Sequence, residues 1–209
     1  MKKYEFTPET KIVDGHTLHR IKALVPFGNV QAGELGGWIE REENLFHTGN
    51  AWVSRNAMVY GNARVFHDAQ VCGNAQVFGD AIVCENAIVY CNAQISGAAV
   101  VHDSAIVGGK ARVADNASVF ENCHIYGNAL VCGNTQVSGE ASVCGYVYQN
   151  ARVHGSARVA DNTIICGNAV ITGTASVYEN AYVGGNAKVF GKARIFGESV
   201  VFENDKVYV

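Results

Sequence analysis

Along most of the chain an aliphatic residue returns every six positions. Positions 53, 59, 65, 71 and onward in sixes to 143 hold Val throughout, except for Ile95 and Ile125. A second run opens at Val153, ten residues on where twelve are due, and continues in sixes through Ile171 and Ile195 to Val207. Two residues are therefore missing, and the break falls around Tyr146 to Gln149. Four places after each aliphatic residue stands Ala in most copies, the exceptions being Cys123, Thr135, Val147, Thr163, Ser199 and Asp205. Gly-Asn or a similar pair lies between the two. We number these slots from the aliphatic residue, so that Val59, Tyr60, Gly61, Asn62, Ala63 and Arg64 occupy slots one to six.

A period of six fits neither the alternation of a plain strand nor the 3.6-residue turn of an α-helix. It fits a short strand followed by a corner. Alternation sends the slot-five Ala and slot-one Val to one side and the residues in slots six and two to the other. Gly and Asn in slots three and four tolerate the left-handed backbone of a tight bend. Three such edges close a triangular coil of 18 residues, with β-branched Val filling the interior. The 26 aliphatic positions, taken three to a coil, predict about nine coils. At about 4.8 Å per stacked strand the prism is about 40 Å long.

Residues 1–46 do not follow the period. Lys11-Ile12-Val13 and Thr17-Leu18-His19-Arg20-Ile21 flank Asp14-Gly15, a hairpin signal. Residues 1–46 are thus expected to form a β-hairpin cap over the end of the stack, which otherwise presents unpaired strand edges, and residues 47–209 the repeat region.

The sentence Val-Tyr-Gly-Asn-Ala-Arg resembles the hexapeptide repeat of left-handed parallel β-helix proteins. The resemblance covers about 160 of the 209 residues. It implies an all-β, single-stranded left-handed parallel β-helix. The blocks Arg20-Ile21-Lys22-Ala23-Leu24, Gly36-Gly37-Trp38-Ile39-Glu40 and Gly49-Asn50-Ala51-Trp52-Val53 are similar to those of a bacterial and phage subfamily. One member of it carries a transferase label that rests on fold alone. This sequence departs from the family in slot two, normally small or acidic, which is here often aromatic or Cys.

Charged residues make up only 17% of the chain and the net charge is −3. That balance argues against a general electrostatic grip on nucleic acid. Five of the seven cysteines (Cys72, Cys84, Cys132, Cys144 and Cys166) share slot two, so their spacing follows the repeat. The expectation is reduced thiols in the cytoplasm. No apolar run suits a leader or a membrane span.

Four groups of residues are candidates for chemistry. The resemblance implies one: many hexapeptide-repeat proteins are trimeric acyltransferases that bind acyl-CoA between prisms and use a His as general base. His102, in slot two between Cys84 and Phe120, is the catalytic candidate under that reading, with CoA as the only cofactor. The second is a zinc site of the γ-carbonic-anhydrase kind. It needs a close His pair, which His67, His102, His124 and His154 do not supply, so no metal is expected. The third is a cradle in which Arg158, Ser176 and Arg194 stack in slot six beside Ala160, Tyr178 and Phe196 in slot two. With His154 nearby, it suits an anionic, ring-bearing ligand such as a nucleotide. The fourth is an outward apolar excess, with Trp52, Ile88, Tyr90, Ile106 and Tyr126 on one face and Met58, Tyr60, Phe78 and Leu130 on the next. It predicts either cover by the N-terminal segment or a dimer or trimer of prisms.

The resulting expectation is an oligomeric, non-catalytic β-helix scaffold or binding protein, of phage type, that sequesters a small nucleotide-like ligand in grooves between subunits. A CoA-dependent acyltransferase and a self-assembling structural module are the alternatives. Neither nucleic acid nor membrane is an expected partner.

Overall fold

The computed structural model describes residues 2–209. They form a single-stranded parallel β-helix with three faces. The first face is a 12-stranded sheet that begins with β1 (Tyr4–Val13), β2 (His16–Ala23) and β3 (Leu35–Ile39). β1 and β2 are antiparallel additions to this sheet, which leaves ten parallel rungs from β3 to Val200–Val201. The second face runs from Trp52–Val53 to Arg194–Ile195 and the third from Arg64–Val65 to Lys206–Tyr208, each with nine strands. No helix among the described residues is long and apolar enough to cross a membrane.

Slot one and slot five line the interior. The Val and Ile columns and the Ala column are fully buried from Val53 to Val189. Each buried Val contributes about 1.5 kcal/mol or more from apolar burial. Backbone donors in slots six and two climb the stack, as in Gln70 N–H to Ala87 O at 2.9 Å and Cys72 N–H to Val89 O at 2.9 Å.

Slot three takes positive φ at every corner, whether or not it is glycine. Asp103 (φ 55°), Asp115 (φ 59°) and Glu179 (φ 64°) hold a conformation unfavourable to L-residues. The reason is visible one coil on. Glu121 N–H donates to Asp103 Oδ2 at 2.9 Å, Gly133 N–H to Asp115 Oδ2 at 2.9 Å and Gly197 N–H to Glu179 Oε2 at 2.7 Å. An acidic slot-three side chain therefore satisfies a corner N–H, and this charge-assisted bond offsets the backbone strain. Slot four builds the amide ladder. Asn116, Asn134, Asn150, Asn168, Asn186 and Asn204 join Nδ2 to Oδ1 in one continuous chain.

Two boundaries differ from those expected. The helix begins with β3 rather than at residue 47: Ile39 pairs with Val59, and Leu45 bridges to Val65. The period is hidden there because Leu45 and Val53 lie eight residues apart, two more than the repeat. The missing pair also lies earlier than Tyr146 to Gln149. Val131 pairs with Val147, so Val147 is a slot-one residue, not a slot-five exception. Gly145 takes slot five, where a Cβ would meet Val159 Cγ1 at 3.2 Å. What is lost is a Gly-Asn-type corner between Cys144 and Gly145, the part of the repeat that packs nothing inward.

The hairpin turns at Asp14 (φ 50°) and Gly15 (φ 83°), both positive as a tight two-residue turn requires. The N-terminal segment covers two of the outward aromatics, the first of the two outcomes expected for these faces. Trp52, 2% exposed, meets the edge of Phe27 at 5.3 Å. Tyr60, 3% exposed, packs under His16 at 5.2 Å and donates to Asp14 Oδ2 at 3.1 Å. Lys3 is buried and donates Nζ–H to Ala51 O at 2.8 Å, closing backbone acceptors of the first coil; burial lowers its pKa to about 8. The cover stops there, and Tyr90 and Tyr126 remain exposed.

Candidate functional site

The second face brings three of the expected ligand residues into one hollow. Arg158, Ser176 and Arg194 pair in register on successive rungs. With Ala160, Val177 and Tyr178 they line a shallow cavity of about 250 Å³. The two arginines sit two rungs apart, about 10 Å at the strand spacing. Tyr178 lies between them. Arg194 Nη2 donates to Tyr178 Oη at 3.2 Å, and its guanidinium stands 5.6 Å from the Tyr178 ring centre. Phe196 stacks on Tyr178 at 5.5 Å and 14°. It is a neighbour that fixes the ring rather than a lining residue.

Neither guanidinium forms an ion pair among the described residues. Asp161 and Glu179, in slot three of the adjoining corners, accept the N–H groups of Glu179 and Gly197, and Glu198, four residues after Arg194, forms no ion pair with it. The hollow thus presents two exposed cations, one aromatic face and the Ser176 hydroxyl, with no acidic side chain in its lining. Guanidiniums beside an aromatic face are chemically suited to a phosphate or carboxylate joined to a planar ring.

His154 is not part of this hollow. It occupies slot two of the third face, around a corner from Arg158, and its Nδ1 lies 3.0 Å from Thr172 Oγ1. Residues 18 apart share a column, but residues four apart across a corner share only an edge.

His102 lies on the third face. Its ring stacks on Phe120 at 5.2 Å and 4°, and its Nδ1 is 3.4 Å from Asp103 Oδ2. Glu85, His102 and Asp103 have donor atoms within 4.8 Å of one another. Both carboxylates already serve the corner: Asp103 N–H donates to Glu85 Oε2 at 2.9 Å, and Asp103 receives Glu121 N–H. That backbone bond, more than Glu85 or His102, holds the Asp103 carboxyl below the usual range. Below His102, burial first and then Glu85 and Asp103 push the Cys84 thiol up to about 11, so it stays protonated near neutral pH. Asp103 as the partner of His102 was legible in principle, as an acidic slot-three residue next to a slot-two His.

Compared with known families, the chain is similar to the YdcK β-solenoid repeat, which matches residues 57–73, 69–85 and 125–139. Comparison with curated proteins finds no match.

Proposed function

We propose that the protein is a self-associating, non-catalytic β-solenoid scaffold that binds a small anionic, ring-bearing ligand of nucleotide type on its second face. The observation that carries this reading is the pair of exposed, ion-pair-free guanidiniums of Arg158 and Arg194 on either side of Tyr178. The ring would stack on Tyr178, and the anionic group would take charge-assisted bonds from Arg158. One chain supplies the whole hollow, so binding needs no second subunit.

Titration with adenosine diphosphate and with coenzyme A, followed by calorimetry, tests the reading. Binding by the wild type is expected to weaken at least tenfold in Arg158→Ala/Arg194→Ala, since each bond to a charged group contributes about 1.5–3 kcal/mol. Unchanged binding of every such ligand by the double variant overturns the assignment.

The His102–Asp103 approach of 3.4 Å supports acyl transfer as a second reading, because a carboxylate beside Nδ1 orients a general base. Coenzyme A binding that is insensitive to the two arginines but abolished by His102→Ala would favour it.

A further inference from the structure

The outward slots of the first face change character in its last five rungs. Slot six reads Leu130, Tyr146, Ile164, Tyr182 and Val200, which stack in register one after another. Slot two reads Cys132, Tyr148, Cys166, Gly184 and Phe202. None of these ten positions is charged. Tyr146, Val200 and Phe202 are exposed, with Val200 at 68%.

The surface is also smooth. The Tyr182 ring lies across the gap left by Gly184, where a Cβ would fall 2.7 Å from Tyr182 Cε1. The Cys166 thiol donates to Tyr182 Oη at 3.0 Å, which pins the ring down. Along one flank runs the amide ladder from Asn134 to Asn204. Along the other, Asn162 bonds to Asn180 at 3.3 Å.

Two features identify the occupant. The slot-six order is a palindrome about Ile164: aliphatic, Tyr, Ile, Tyr, aliphatic. A two-fold axis through Ile164 sets each Tyr146 against the partner's Tyr182 row and each Leu130 against its Val200 row, so the patch is complementary to itself. The second feature is area. Five rungs span about 24 Å, and a strip about 15 Å wide gives roughly 400 Å² of apolar surface. A standard interface takes about 800 Å² from each partner, a little over half of it apolar. The patch matches that apolar share, and the flanking amides supply a polar rim. A chain of net charge −3 also meets no like charge on this face.

We propose that a second copy of the chain covers this face, with the two prisms antiparallel about a two-fold axis at Ile164. This deepens the self-association in the reading above and is independent of the ligand, since Arg158, Tyr178 and Arg194 lie on another face.

Sedimentation equilibrium from about 1 to 100 μM tests it, with thermal melts to confirm folding. The wild type is expected to be a dimer. Ile164→Glu and the far more exposed Val200→Glu are each expected to raise the dimer dissociation constant at least 100-fold. Ile106→Glu, on the second face, is expected to leave it unchanged. A photocrosslinking residue at 200 is expected to capture the partner's peptide around Leu130. A monomeric or trimeric wild type, including one that leaves the face open to a different protein, overturns the proposal. So does a folded Val200→Glu variant that stays dimeric, or a crosslink from 200 to the partner's own position 200.

Discussion

Val113→Asp is expected to abolish the folded state, while Arg112→Asp next to it is expected to leave the melting temperature almost unchanged. Val113 sits in slot one, fully buried in the middle of the stack between Ile95 and Val131. Arg112 is exposed in slot six, and its Nε donates to Gln94 Oε1 at 3.0 Å. A carboxylate at 113 enters an interior built mainly of buried Val, Ile and Ala columns. Leaving such a charge buried without a partner costs several kcal/mol, comparable to the whole stability of many domains. At 112 the same carboxylate stays in water, and surface changes of this kind are usually within about 0.5 kcal/mol. Circular dichroism melts of the two variants check both outcomes. Similar melting temperatures would mean that slots one and six do not face opposite ways.

The second large effect is expected at Asn44, in the short 3-10 turn Glu42–Asn44 of the first coil. Its side chain is fully buried yet completely satisfied. Nδ2 donates to Gly61 O at 3.1 Å and to Ala63 O at 2.8 Å. Oδ1 accepts Glu40 N–H at 3.2 Å and Arg41 N–H at 2.9 Å. One side chain thus binds the first corner to the second coil where no earlier coil exists to do so. Asn44→Ala leaves Ala63 O and Arg41 N–H without partners and takes one of two partners from Gly61 O and Glu40 N–H, which keep Arg41 Nη2 and Val59 O. A loss of about 2–4 kcal/mol follows from the desolvation of such groups. For a chain of this size that lowers the melting temperature by roughly 5–15 °C. Asn116→Ala, which removes only an exposed rung of the amide ladder, is the matched control and should shift it far less.

The interior was legible in the sequence because Val and Ala in slots one and five must obey the period wherever the stack continues. The period failed as a guide where corners changed length. Val147 looks like a slot-five residue until its pairing with Val131 shows the corner beside Gly145 to be short. That misplacement also hid the apolar column. Counted in eighteens, Tyr146 falls out of line with Leu130, and the palindrome about Ile164 appears only once the sixteen-residue step is known. The arginine hollow, beyond the break and in unbroken register, was legible from spacing alone. His154 was drawn into it because spacing gives columns and not the angle at a corner. The burial of Trp52 and Tyr60 was legible only as one of two alternatives, cover by the N-terminal segment or by another prism, since the segment that covers them carries no period.

Spin-label distances along one column test most directly whether each step of the repeat is one rung of a straight stack. Arg64, Arg152 and Lys188 are exposed slot-six residues of the third face, and Arg152 and Lys188 lie five and seven rungs from Arg64. Genetically encoded labels, which avoid the native cysteines, are expected to give backbone separations of about 24 Å for 64–152 and about 34 Å for 64–188 at about 4.8 Å per rung. Equal distances for the two pairs, or a 64–188 distance well short of the larger value, would contradict the solenoid.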